Sequence, residues 1–276
     1  MPGNPETDIS IAMELNYFRI NQAEYFVPLA IKIPGSELTL AKRKGADRTI
    51  IDFIGEIRDE FGSTITNLRD KVDIGLSGSV ATELSKHPIS YEAGLTLFPG
   101  KYTIKFLARD GVTGPIGTYQ TQFVIPNLAK ERPIPLSSVV VRSQRVAMKY
   151  VLFSSKKGSG DRANPLFNGK DKLIPSVTRV FYTDKPMYVY LQAYQDADKK
   201  QSLLAAITLL SGHKQIFVSS FQKPSIKVQH GFIANEFQFG LPLTQIPAGR
   251  YICQVDVFDP TSHQVSFRQI PIVIAH

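Results

Sequence analysis

The chain has 276 residues, 43% apolar, 10% aromatic and 20% charged, and its 32 basic and 24 acidic side chains give a formal net charge of +8. This is ordinary globular composition, which excludes a chain disordered as a whole or a collagen-like fibre, and no run approaches the roughly 18 unbroken apolar residues of a membrane span. The single cysteine, Cys253, excludes an internal disulfide and a cysteine-based zinc site.

Residues 1–7 read as an extended or disordered tail. Met1 to Asp8 lack the basic-then-apolar layout of a signal peptide, so no export signal is expected in this chain. From there the pattern is period two, the strand period. Tyr25, Val27, Leu29, Ile31 and Ile33 alternate with Phe26, Pro28, Ala30 and Lys32 until Pro34-Gly35 breaks the run. Thr49 to Ile57 is a second run, and Phe61-Gly62 turns it into Thr64 to Leu76. The one helix the pattern allows in this half is Val80 to Lys86. Tyr102, Ile104 and Phe106 alternate with Lys101, Thr103 and Lys105, and Tyr119 to Ile125 follows a Gly-rich turn.

The second half repeats the habit. Ser137 to Arg142 reads as a strand, followed by Thr178 to Phe181, Met187 to Tyr194, Leu203 to Leu210, Gln215 to Ser219, Ser225 to Val228, Ile233 to Phe239, Arg250 to Phe258 and Val265 to Ile274. Sustained helical periodicity is absent, which removes support for α/β enzyme folds. An internal repeat supports the architecture. Pro99-Gly100-Lys101-Tyr102 ends in Arg109-Asp110, and Pro247-Ala248-Gly249-Arg250-Tyr251 ends in Phe258-Asp259. The expectation is an all-β chain of two tandem immunoglobulin-like β-sandwiches, residues 8–128 and 137–276, joined by a linker at 129–136, the second carrying a basic Gly-rich loop near 154–172.

The Gly-x-Tyr spacing predicts a tyrosine corner in each repeat, the hydroxyl bonding back to the backbone. Asp110 and Asp259 predict turn caps that accept amide hydrogen bonds from two residues on. Cys253, with no partner cysteine, reads as a small buried apolar residue rather than a reactive thiol.

Several blocks, in this order, carry a likeness: Asp8-Ile9, Tyr17-Phe18-Arg19, Ile33-Pro34-Gly35-Ser36-Glu37-Leu38-Thr39, Pro99-Gly100-Lys101-Tyr102, Ala108-Arg109-Asp110, Val124-Ile125-Pro126-Asn127-Leu128, Leu136-Ser137-Ser138, Leu173 through Phe181, and Tyr188-Val189-Tyr190. Over about residues 7 to 274 the chain resembles the C-terminal region of bacterial von Willebrand factor A-related domain proteins. The resemblance implies an exported, periplasmic or extracellular protein whose signal peptide and A-type domain lie upstream. It offers no catalytic residues. The A-type adhesion motif, Asp-x-Ser-x-Ser, is missing, and Gly75-Leu76-Ser77-Gly78-Ser79 has Gly in the place of its metal-ligating Asp.

Catalytic and cofactor templates fail. No nucleophile elbow, P-loop or His-Glu-x-x-His is present. Gly158-Ser159-Gly160-Asp161-Arg162-Ala163 fits a dinucleotide fingerprint, but Asn164-Pro165 forbids the helix that must follow. His87, His213, His230, His263 and His276 show no ligand spacing, and Asp196-Ala197-Asp198 continues into Lys199-Lys200 where a calcium loop needs acids. No catalytic, cofactor-binding or metal residue is expected, and the chain reads as a non-enzyme.

Two features stay open for binding. Tyr188, Tyr190 and Tyr194 share one strand face; a solvent-facing row would stack on sugars or form an interface, whereas the plainer reading has the other sandwich covering it. The charge is also local. Residues 1–128 hold 13 basic and 15 acidic side chains, while residues 130–172 hold ten and three. That block, with Arg142, Arg145, Lys149, Lys156 and Lys157, lacks the aromatic interleaving of a nucleic-acid groove and reads as a charged connector. The expected partner is a protein or cell-surface polymer, without nucleic acid or membrane insertion.

Overall fold

The strand pattern folds as two pairs of facing sheets in a computed structural model that describes residues 7–38, 41–43, 46–76, 88–143, 152–153, 164–168, 171–198, 202–229 and 231–276. In chain order, β1 (Ala12–Leu15) and β2 (Phe18–Arg19) precede β3 (Tyr25–Ile33). After Pro34 a single 3-10 turn, Gly35–Glu37, leads to β4 (Ala41–Arg43), β5 (Ala46–Asp59) and β6 (Thr64–Leu76). Then come β7 (Ile89–Leu97), β8 (Gly100–Asp110) and β9 (Ile116–Ile125). Next are β10 (Val140–Arg142) and β11 (Leu152–Phe153). The sheet β1-β3-β7-β11, with β2 beside β3, faces the sheet β4-β5-β8-β9, with β6 beside β5.

The chain continues through β12 (Phe167–Asn168), β13 (Asp171–Lys172), β14 (Val180–Tyr182), β15 (Met187–Asp196), β16 (Leu204–Ser211) and β17 (Lys214–Val218). It ends with β18 (Ser225–Gln229), β19 (Phe232–Leu241), β20 (Gly249–Asp259) and β21 (Gln264–Ala275). The sheet β10-β15-β19-β18 faces β14-β21-β20-β16-β17. The order β6-β5-β8-β9 in the first pair recurs as β17-β16-β20-β21 in the second, and β3–β7 recurs as β15–β19. The chain is therefore all-β and sandwich-like, with a repeated strand order.

Alternation explains what each strand buries. Along β8 and β20, 11 residues each, every second side chain from Tyr102 and Tyr251 onward enters the core. The first core stacks Phe53 of β5 on Tyr91 of β7 at 4.0 Å. The second gathers Val189, Leu191, Ile207, Leu209, Phe237 and Val255. Both tyrosine corners form: the Tyr102 hydroxyl donates to the Phe98 carbonyl at 2.9 Å, and Tyr251 donates to Pro247 at 2.7 Å. Both aspartate turns form as well. The Asp110 carboxylate accepts from the Val112 amide at 2.8 Å, and Asp259 accepts from Thr261 at 2.9 Å. Burial would raise the Asp259 carboxyl, but hydrogen bonds from Ser262 and the Thr261 and Ser262 amides outweigh it and hold it below the usual range.

Two places differ from the sequence reading. The pattern passes over β7, because Glu92 and Gly94 interrupt its alternation. Gly94 is there for packing, since a Cβ would lie 2.6 Å from the buried Phe26 ring. Residues 129–136, expected as a linker, are fastened down: Ile134 and Leu136 are buried in the second core, and Leu136 bridges Ala193 of β15. The short helix expected at Val80 to Lys86 lies outside the described residues.

Candidate functional site at the seam

The β15 strand decides where the tyrosine row points. Met187, Val189, Leu191 and Ala193 face the second core, so Tyr188, Tyr190, Gln192 and Tyr194 must face the other way. That face meets the first sheet pair rather than solvent. Tyr190 packs with Phe18 and Phe26, and Tyr194 joins the first core together with Phe232 and Ala234 of β19. Tyr190 and Tyr194 are 3% and 1% exposed, so the outward row weighed for sugar stacking does not exist. The neighbouring sandwich covers it.

The buried hydroxyls are satisfied by a continuous network. The Arg19 amide donates to Tyr194 Oη at 2.9 Å, and Tyr194 donates to Gln192 Oε1 at 2.8 Å. Gln192 Nε2 donates to Tyr190 Oη and to Glu236 Oε1, both at 2.9 Å, and Tyr190 donates to the same carboxylate at 2.9 Å. Lys227 Nζ completes the cluster 2.9 Å from Glu236 Oε1. The Arg19 guanidinium lies over the Phe232 ring, 4.7 Å from its centroid. Burial pushes the Tyr194 hydroxyl far up, and burial together with the Glu236 charge does the same for Tyr190, so both phenols stay neutral donors. With these donors matched to acceptors, the network fixes the geometry of the seam.

Other contacts run along the same seam. Tyr17 and Ser138 exchange hydrogen bonds, the Ser138 amide to the Tyr17 carbonyl at 3.2 Å and the Tyr17 amide to Ser138 Oγ at 2.9 Å. The Leu128 amide donates to the Tyr25 hydroxyl at 2.8 Å. Glu14 of β1, buried, meets Arg179 Nε at 3.2 Å, and Arg179 holds a left-handed φ of 52° uncommon for a residue with a side chain. The guanidinium of Arg268 donates to Glu131 at 2.6 Å and to the Leu136 carbonyl at 3.0 Å.

Tyr188 is half-buried, with the Arg142 guanidinium 4.9 Å from its ring centroid. Arg142, expected on a charged connector, is itself buried beside β15. Arg145, Lys149, Lys156, Lys157 and the Gly158–Ala163 string lie outside the described residues, as do His87 and His230. Among the described residues no cluster of three or more His, Cys, Asp or Glu is arranged to hold a metal, and no helix is long and apolar enough to cross a membrane. Cys253 is buried as expected, and burial pushes its thiol up to about 12. Sequence reasoning missed Glu236, Gln192 and Arg19. A signal was available in Asn235-Glu236, two polar residues inside the apolar run from Phe232 to Phe239, and in Gln192 between the tyrosines.

No protein-family model and no curated protein matches the chain. Among solved structures, a β-glucuronidase of Parabacteroides merdae is 10% identical with a TM-score of 0.26, the match covering 95% of this chain and 28% of that one. An Escherichia coli α-2-macroglobulin activated by porcine elastase is 12% identical with a TM-score of 0.24, covering 99% of this chain and 22% of that one. The chain spans about a quarter of the length of these structures.

Proposed function

We propose that the chain is a non-catalytic structural and adhesive β-sandwich pair of an exported bacterial protein, working in the periplasm or outside the cell. It presents an upstream A-type domain or docks a protein partner or cell-surface polymer through its edges and loops. The observation that carries this reading is the seam. The aromatic and ionisable side chains best suited to ligand work are turned inward, where they hold one sheet pair against the other in a set geometry. A fixed spacing between two sandwiches serves presentation and docking.

Cell fractionation with an antibody to this chain tests the reading. The expected result is a periplasmic or extracellular polypeptide that also carries an A-type domain, and whose partner or surface binding falls when residues 8–276 are deleted. A cytosolic protein, or one whose binding survives that deletion, overturns it. A glycan array is expected to show no binding, because the tyrosine faces are covered.

A further inference from the structure

The second sheet pair has an edge that combines an open backbone ladder with an exposed apolar face. Strand β18 closes the sheet β10-β15-β19-β18 and, among the described residues, pairs only with β19. An edge strand presents alternate N–H and C=O groups to whatever comes next, and natural edges are commonly blunted by charge. In the first pair the long edge strand β6 is blunted in this way by Arg69, Asp70, Lys71 and Asp73, whereas the other long edge, β9, has no charged residue. In β18 the only charged residue is Lys227, and its ammonium is bonded to Glu236 on the seam side.

The opposite side of β18 is apolar and open. Ile226 and Val228 pair with Asn235 and Ile233, which places them on the sheet face that carries Phe237 and Phe239 into the core. The facing sheet does not cover them: Ile226 is 48% and Val228 76% exposed, and Phe221, just before the strand, is 62% exposed. The charge at the strand is basic on its open side: Lys223 precedes it and Lys227 lies within it, and the carboxylate across the ladder, Glu236, is already bonded to Lys227.

We infer that β18 is a strand-addition site that takes an extended segment of a partner protein in which apolar and acidic residues alternate. The alternation follows from the register. Residues of the added strand beside Ile226 and Val228 cover apolar surface, and those between them face Lys227, whose ammonium has further donors beyond its bond to Glu236. Main-chain hydrogen bonds to the free edge supply affinity and the lysines supply choice of partner. A second copy of this chain is a poor occupant, because antiparallel pairing of β18 with itself about its centre sets the two Lys227 side chains side by side. The inference deepens the docking reading above. Cell fractionation tests that reading by itself, so either can fail without the other.

A short capped peptide of alternating valine and glutamate is the probe, compared with its valine–lysine counterpart and with a version carrying a central proline. The acidic peptide is expected to bind about tenfold or more tighter than the basic one, with affinity falling as salt rises. Bound peptide is expected to protect the Ser225–Gln229 amides from hydrogen exchange, and the proline version is expected to lose this protection. Val228→Lys, on an exposed position where the fold is not at stake, is expected to weaken binding about tenfold with an unchanged unfolding curve. Absence of binding, equal binding of the acidic and basic peptides, protection elsewhere in the chain, or indifference to Val228→Lys overturns the inference.

Discussion

Cys253 shows how burial decides reactivity. Its thiol is fully enclosed in the second core and pushed up to about 12 by desolvation, so almost no thiolate exists near neutrality. A maleimide is therefore expected to label the native protein negligibly and the urea-unfolded protein fully, as read by mass spectrometry; rapid native labelling would place the thiol elsewhere. The two tyrosine corners make a matched pair at the same scale. Each hydroxyl donates to the carbonyl four residues earlier, at 2.9 Å for Tyr102 and 2.7 Å for Tyr251. Tyr102→Phe and Tyr251→Phe are each expected to lower stability in urea titration by about 1 kcal/mol, the net worth of one hydrogen bond. No loss in either variant would mean the corners are geometric coincidences. These features were legible in the sequence because they are local: corner and turn caps close within four residues, so spacing alone specifies them. Tyr194 was not legible in that way, because the amide that satisfies it, that of Arg19, is 175 residues away in the chain.

At the scale of elements, legibility followed the cleanness of the alternation. β8 and β20 are both 11 residues long, with nearly the same pattern of buried and half-buried positions, and the repeated Gly-x-Tyr marks both starts. β7 lost its signature to Gly94, a residue chosen for the Phe26 ring against it rather than for strand propensity. Gly117 is a second case of packing written as a glycine. Asp8 and Ile9 both bond to the Ile116 carbonyl, and a Cβ on Gly117 would lie 2.5 Å from the Ile9 carbonyl oxygen, a backbone atom with no rotamer to yield. Gly117→Ala is expected to cost about 1–3 kcal/mol, the usual range for overpacking. It is also expected to raise hydrogen exchange at Asp8 and Ile9 while leaving the β20–β21 amides protected. Loss of protection throughout the chain, or none at all, would contradict this assignment.

For the whole molecule the seam is the feature that composition could not announce. The +8 charge divides into a slightly acidic first half and a basic region beyond it, and the two meet in the pair of Glu14 with Arg179. Glu14 gives this meeting a pH signature. Burial raises its carboxyl above the usual 4.5, and the Arg179 charge and the hydrogen bonds from Asn16 and Arg179 only partly offset that. The folded chain thus binds this proton more tightly than the unfolded chain does. The stability from protonated Glu14 is fully present below the unfolded pKa and is lost as pH rises through the higher folded value. Glutamine copies the protonated form, and Arg179, one-third exposed, keeps water as a partner. The difference in unfolding free energy between Glu14→Gln and the parent cancels the titration of every other group. It is expected to be small at about pH 4 and to grow in favour of the variant toward about pH 7, as read from urea titrations across that range. A difference that instead turns against the variant as pH rises would mean that the attraction to Arg179 outweighs desolvation, and that the seam is held at this point by an ion pair rather than in spite of one.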